Sequence, residues 1–223
     1  MSAFLGPIHY MMFNKIKIAS DRSRFILEAF REKHGQAVNE TLKSALPDGL
    51  VDFGDAPLDE LLGDNPIHQF LQGLIDHVET AEATLVTALL YRFPDDAETM
   101  LEEKFFEHGR LTGEKLVKDR PNAAPLTAFQ QVVGSNYLEG MPCDQVSSYR
   151  MLGKESLEVT HSDCLHRAKW EEAGAPTHVM CKLMDKWVEG CARAVSPGLT
   201  IKRIGSILDG ATECRCTVSL PAN

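Results

Sequence analysis

The hydrophobic and polar positions of the chain follow a helical period through its first 140 residues. Ser2 can cap a helix whose apolar residues run from Phe4 to Ile16, with Pro7 early in it, where proline is tolerated. Helical character continues from residue 22 to residue 33, and Gly35 is a stop signal. The pattern therefore predicts a helical start to the fold.

Three further helices are predicted before residue 141. Residues 47–64 are rich in Pro, Gly and Asp and indicate a loop, after which Asn65-Pro66 begins a helix. Its apolar positions repeat at helical spacing up to Leu89, over about six turns. Asp95-Asp96 opens another helix, and a short one covers residues 125–138.

Near Met141 the spacing of the hydrophobic positions changes from a helical period to every second residue. Alternating positions predict four strands, and helical spacing predicts two helices between the second and third of them. The dipeptide Asp209-Gly210 is a strong hairpin turn. The fold class is therefore α+β, with a helical region over residues 1–140 packed on an antiparallel β-β-α-α-β-β region over residues 141–223, together one compact unit. The strands are 146–152, 156–161, 199–208 and 213–220, and the helices are 165–173 and 177–194.

Composition narrows the class of partner. The net charge of −9 without a Lys/Arg cluster argues against nucleic acid, because phosphate binding needs clustered cations. The apolar run from Ala83 to Tyr91 is too short to cross a bilayer, and the N-terminus lacks the pattern of a signal peptide. We therefore expect a cytoplasmic protein with reduced cysteines that binds neither nucleic acid nor membrane.

The candidate chemistry is confined to the last third of the chain. All six cysteines lie between Cys143 and Cys216, together with three of the eight histidines. Thiols and imidazoles bind soft metals or act as nucleophiles and bases near neutral pH. We therefore expect the chemistry, or the ligand, to belong to this region.

Two cysteines alternate on the last predicted strand. Cys214 and Cys216 lie about 7 Å apart on one face with Val218 and Leu220, which makes a disulfide between them improbable. They are either small hydrophobic core residues or the thiol lining of a ligand pocket. Both alternatives are compatible with the sequence.

The segment after the second predicted strand offers three potential metal ligands. His161, Cys164 and His166 occur within six residues, but no Cys-x-x-Cys accompanies them, so we expect no bound metal. The alternative is a strand-end histidine bonded to backbone, followed by a cap-like Asp163. His161 lies on the apolar face of its strand, which is unusual for an imidazole without a partner.

A third candidate is Cys181, on the predicted helix 177–194. Cys191 follows the buried stripe of that helix and is predicted to be core. Asp185 lies one turn after Cys181 and would raise the pKa of its thiol, whereas His178 could act as its base. Outside this region, His9 near Phe13 and the pair Gly109 and Gly113 mark either packing or room for a ligand.

These residues resemble a known family. The segment from His161 to His166, Cys181 with Asp185, and the closing residues Asp209 to Cys216 are similar to the bacterial L-2-amino-thiazoline-4-carboxylate hydrolase-like family, over residues 143–220. The closing pattern also resembles the 4-vinyl reductase ligand-binding domains, which have a related α+β form.

The resemblance implies a small-molecule hydrolase that opens a cyclic C–N bond of the thiazoline type. We expect His161 as the base with Cys164 and Cys181 in the catalytic set, and a ligand contacted by the remaining candidates, which are His9, His166, Asp185, Cys214 and Cys216. The alternative function is a non-catalytic small-molecule sensor or carrier of the 4-vinyl reductase domain type. The cofactor stays unknown at this point.

The first helix predicts self-association. It carries Phe4, Leu5 and Ile8 besides Met11, Met12 and Phe13, more apolar surface than one narrow face holds. We expect a two-fold homodimer to which this helix contributes. The competing interpretation is that helices over 66–92 and 96–117 wrap it within one chain.

Overall fold

The protein is described by a computed structural model over residues 5–118 and 123–221. The predicted α+β class is confirmed, with helices first and antiparallel strands in the C-terminal part. Ser2 and Phe4, which the prediction placed in the first helix, lie outside the described residues. The helices are α1 (Pro7–His34), α2 (Gln36–Ala45), α3 (Leu58–Leu62), α4 (Ile67–Arg92), α5 (Ala97–Lys118), α6 (Pro125–Asn136), α7 (Arg167–Glu172) and α8 (Thr177–Val195), and the strands are β1 (Ser147–Met151), β2 (Ser156–His161), β3 (Thr200–Gly205) and β4 (Cys214–Ser219).

Two local predictions needed correction. The loop predicted over residues 47–64 contains α3, and α2 follows α1 directly because Gly35, with φ 60°, turns the chain between them. The third strand ends at Gly205 and not at residue 208, because its pairing with β4 is irregular between Arg203 and Gly205. A short 3-10 turn, Ile207–Asp209, follows and is capped by the Ser206 hydroxyl.

The described chain divides into two compact units. Unit 1 comprises Met1–Leu101, Asn136–Met141 and His166–Pro176, and unit 2 comprises Glu102–Ser135, Pro142–Leu165 and Thr177–Asn223. The boundary predicted near residue 140 falls close to one of the points where the chain passes from unit 1 to unit 2. The division of the chain into a helical region and an α+β region at this residue stays a prediction. No helix among residues 5–118 and 123–221 is long and apolar enough to cross a membrane.

Unit 1 is built on the contact of α1 with α4. Their apolar stripes meet in one buried cluster with side chains from the segments between them, because both helices repeat hydrophobic residues three and four positions apart. The cluster also includes Leu138, from the segment that follows α6. Its buried members are Met12, Phe13, Ile16, Ala19, Phe53, Leu58, Leu71, Ile75, Val78 and Leu138.

Unit 2 contains a four-stranded antiparallel sheet in the order β1-β2-β4-β3. Leu157 and Val159 on β2 and Val218 on β4 are buried, while their neighbours along each strand are more exposed. This is the period-two alternation that the sequence shows. Helix α8 contacts β3 and buries one long face of its own, led by Trp187.

Helices α5 and α8 of unit 2 approach each other at glycines. A Cβ built on Gly109 would lie 2.0 Å from the carbonyl oxygen of Trp187, and one on Gly190 would lie 2.1 Å from that of Phe106. A Cβ on Gly113 would lie 2.7 Å from the Cβ of Ala194. Gly109 and Gly113 therefore allow close helix packing and do not leave room for a ligand.

Candidate functional site

The paired strands of unit 2 bring three candidate side chains to one end of the sheet. Cys214 lies opposite His161 on β2, and Cys216 lies between Val159 of β2 and Arg203 of β3. Both thiols are half-buried. The face that the sequence predicted for Cys214 and Cys216 therefore also carries a guanidinium group.

Helix α8 contributes the other side of this site. Arg203 donates two hydrogen bonds to the Asp185 carboxylate, from Nε to Oδ2 at 2.9 Å and from Nη2 to Oδ1. Cys181 precedes Asp185 by one turn, and its thiol interacts electrostatically with Arg203, Cys164 and Cys214. We call these residues the thiol–arginine cluster: Cys164, Cys181, Asp185, Arg203, Cys214 and Cys216.

Two thiols of the thiol–arginine cluster are held in their protonated form. Burial raises the pKa of Cys181 to about 12 and that of Cys216 to about 11, and the positive charge of Arg203 only partly opposes this effect. Asp185 adds to the increase, as the sequence predicted for Cys181. The raised pKa disfavours the thiolate, which is the reactive form, in both cysteines.

The remaining sequence candidates of unit 2 have other surroundings. His178 lies with its Nδ1 3.6 Å from Asp209 Oδ1, and both side chains are largely exposed. Asp163 accepts a hydrogen bond from the backbone N–H of Cys164 at 2.7 Å, the cap-like contact that the sequence suggested. Cys191 is buried and donates to the Gly109 carbonyl, in agreement with its predicted place in the core.

Within residues 5–118 and 123–221, no three His, Cys, Asp or Glu side chains are grouped so that they could hold a metal ion. The six cysteines are free thiols.

His166, a predicted ligand contact, lies in unit 1. Its Nδ1 is 2.8 Å from Glu79 Oε1, its Nε2 is 3.3 Å from the Tyr137 hydroxyl, and its ring stacks on Trp170. Lys169 Nζ lies 2.9 Å from the other oxygen of Glu79. Burial acts to raise the pKa of Glu79, but His166 and Lys169 outweigh it and lower that pKa.

His9, the other predicted contact outside unit 2, has a local structural role. Its Nδ1 accepts a hydrogen bond from the backbone N–H of Gly6 at 3.0 Å, which caps the start of α1. Its ring centroid lies 5.5 Å from that of His68. The structure thus brings together Cys164, Cys181, Asp185, Cys214 and Cys216, with His161 opposite Cys214, and it places His166 and His9 in unit 1.

Unit 1 has a cavity of about 730 Å³ between the turn after α2, helix α4 and helix α7. Three carboxylates line it, from Asp48, Asp76 and Glu172. Lys169 also lines it, and its ammonium group is already engaged by Asp76 and Glu79. The sequence analysis did not predict this cavity, because its walls come from three separated segments.

Arg203 and Glu79 are among the residues of these sites that the sequence analysis missed. Arg203 alternates along β3 with exposed residues, a signal that it shares a face with the inward-pointing side chains. Glu79 follows the buried stripe of α4, where a carboxylate needs a partner, and that local conflict was a usable signal.

Comparison with known proteins gives structural matches only. No family model matches the chain, and no curated protein matches it. Among solved structures, a mutant H-NOX protein from T. tengcongensis is similar at 11% identity, with 90% of this chain and 96% of that chain covered and a TM-score of 0.45. An H-NOX protein from S. oneidensis in the Fe(II) ligation state is similar at 11% identity, with 92% and 96% covered and a TM-score of 0.47.

The family resemblance drawn from the sequence is wrong, because no family model matches the chain. The similar solved structures are H-NOX proteins, and no amino-thiazoline hydrolase-like family model matches. The assignment to that family and the hydrolase-like description are therefore wrong. The short His, Cys and Gly motifs that suggested it are compatible with more than one α+β fold. Likeness at these TM-scores carries nothing about what this chain binds.

Two histidines are buried among the described residues, His108 and His166. The Trp187 indole donates to His108 Nδ1 at 2.9 Å, which leaves the ring proton of neutral His108 on Nε2. His166 directs Nδ1 to Glu79 and Nε2 to Tyr137. Both imidazoles are therefore engaged by protein partners, His108 by Trp187 and His166 by Glu79 and Tyr137.

Proposed function

We propose that this protein is a non-catalytic sensor or carrier of a small molecule, and that the thiol–arginine cluster lines its binding site. The observation that carries the proposal is geometric: the half-buried Cys214 and Cys216 share a sheet face with Arg203, which is hydrogen-bonded to Asp185 of α8. A protonated thiol is a polarisable, weakly polar wall and not a nucleophile. His161 and Cys164 then contribute to that wall instead of to a chemical step.

Partial exposure of the cluster supports a ligand-accessible site. Cys164, Cys181, Cys214 and Cys216 are all half-buried, in contrast to Cys191, which is fully buried in the same unit. Half-buried thiols around a guanidinium group combine an apolar surface with one fixed charge. This combination is typical of small-molecule sites, where a few polar groups orient a ligand within mostly apolar walls.

Native mass spectrometry of the purified protein tests the proposal. We expect a co-purifying small molecule that is lost on denaturation, and lower occupancy in Cys214→Ala and Cys216→Ala. Cys143→Ala is the matched control, because Cys143 is exposed on a 3-10 turn and should leave occupancy unchanged. Ligand-free protein in every preparation, or equal occupancy in all three variants, would contradict the proposal.

We also propose that the protein is cytoplasmic and forms a homodimer through the start of α1. Ile8 and Tyr10 are 49% and 47% exposed there, while Met12 and Ile16 on the same helix are buried in unit 1. Exposed apolar side chains on an otherwise covered helix are typical of an interface. Light scattering should give twice the chain mass of 24.7 kDa, and Ile8→Ser should reduce it; a wild-type mass near 24.7 kDa would rule out this dimer.

A further inference from the structure

The guanidinium group of Arg203 has an unusual environment for a strand residue. It extends from β3 on the face that carries Cys216, and its side chain is 29% exposed. Cys181 and Cys216 both interact with its charge. The Asp185 carboxylate forms two parallel hydrogen bonds with it, the arrangement in which arginine recognises a carboxylate most specifically.

Arg203 and Asp185 differ in how firmly the structure holds them. Arg203 belongs to a paired strand, whereas Asp185 projects from α8 with 48% of its side chain exposed. Asp185 can therefore leave Arg203 for water more readily than a fully buried carboxylate could, because 48% of its side chain is already exposed. Arg203 would then be left among the half-buried thiols without its counter-charge.

We propose that Asp185 occupies the position of a ligand carboxylate, and that the small molecule is an organic anion. Its carboxylate pairs with Arg203 in place of Asp185, and its apolar part packs on Cys181 and Cys216. This inference rests on the proposed function and deepens it by naming the ligand class. It follows from two features together: the bidentate pair with one exposed partner, and the polarisable thiols beside it.

Displacement has a direct consequence for affinity. A ligand that replaces Asp185 must first break the internal pair, so removing the Asp185 charge should strengthen binding. Asp185→Asn should lower the Kd about tenfold, the size expected for one charged hydrogen-bonded contact. Were Asp185 only a support for Arg203, the same change would weaken binding.

The experiment is calorimetric titration of the full chain with benzoate and thiophene-2-carboxylate, and with their neutral amides. We expect the carboxylates to bind and the amides to fail. Asp185→Asn should bind about tenfold tighter and Arg203→Gln should lose binding. The matched control is Glu189→Gln on the same helix, whose carboxylate pairs with Lys186 and Arg193 and should leave the Kd unchanged.

Each other outcome is decisive. Weaker binding in Asp185→Asn, equal binding of amides and carboxylates, or no saturable binding to wild type and Asp185→Asn would overturn the inference. Because Asp185→Asn predicts a gain, a folding defect in Arg203→Gln does not remove the test. A neutral ligand found by native mass spectrometry would overturn the inference but not the proposed function. Ligand-free protein would overturn the proposed function itself.

Discussion

The two units bury different kinds of polar group. Unit 1 buries charged groups that pair within the unit, among them Arg22 with Glu82 at 2.7 Å, and Glu79 with His166 and Lys169. The cluster of unit 2 instead combines neutral thiols with one half-buried ion pair. Buried pairs are costly to separate, whereas a pair with an exposed partner can exchange that partner.

This difference indicates that the buried ion pairs of unit 1 stabilise the fold, whereas the ion pair of unit 2 can exchange its partner. The charges of unit 1 lie in fixed hydrogen bonds between segments distant in sequence, so moving one leaves another unpaired in the interior. In unit 2, close helix packing at glycines supplies the rigidity, and the thiol–arginine cluster remains partly open. Substitutions that change one feature at a time test this comparison of the two units.

The largest effect is expected at the glycines between α5 and α8. Gly190→Ala should destabilise unit 2 by about 3 kcal/mol, because the added Cβ would meet the Phe106 carbonyl, which belongs to rigid backbone. Urea unfolding followed by fluorescence measures it, with Trp187 reporting unit 2 and Trp170 reporting unit 1.

The control for this change is Gly73→Ala on α4 of unit 1. A Cβ there would meet nothing within 4 Å, so the helix preference of alanine should stabilise the protein by about 0.5–1 kcal/mol. If Gly190→Ala and Gly73→Ala had the same effect, glycine packing would not be what holds α5 to α8.

A smaller loss is expected from the buried charges of unit 1. Glu79→Gln should destabilise the protein by about 2 kcal/mol, because His166 and Lys169 lose a buried counter-charge. Glu102→Gln is the comparison in unit 2, where the partner Lys182 is 48% exposed, and it should cost about 0.5 kcal/mol. Equal losses would mean that the burial of the pair does not matter.

The lowered pKa of Glu79 predicts how the free energy of unfolding changes at acidic pH. The pKa of Glu79 is lowered in the folded state, so its contribution is complete above the ordinary carboxyl pKa and is lost as the pH falls through the lower, folded value. Stability measured from pH 7 to pH 3 should therefore fall less steeply in Glu79→Gln than in wild type. If the free energy of unfolding fell in parallel in wild type and Glu79→Gln, this contribution of Glu79 would be excluded.

Local sequence patterns predicted much of the secondary structure of unit 2 and every member of the thiol–arginine cluster except Arg203. The alternation at Leu157 and Val159 is visible in the sequence because one face of β2 is buried and the other is not. The side chains Cys214 and Cys216 were found because thiols are conspicuous. Arg203 was missed, since its pairing with Asp185 depends on the contact of β3 with α8.

The network of unit 1 was beyond any local pattern. Glu79 and His166 are 87 positions apart, and the pair forms only because α7 returns to α4. The hydrolase-like resemblance failed for a related reason. Short motifs around His161 and Cys181 specify residue types, whereas the pKa of a thiol depends on burial and neighbouring charge, which those motifs do not contain.

The most direct test of a non-catalytic thiol site is the alkylation rate of each cysteine with iodoacetamide at pH 7.5, read by peptide mass spectrometry. We expect exposed Cys143 to react first and half-buried Cys181 and Cys216 far more slowly than their exposure alone would give. Their rates should rise steeply toward pH 11, and all cysteines should react alike in urea. Alkylation of Cys181 at pH 7.5 as fast as that of Cys143 would mean an activated thiolate and would contradict the account.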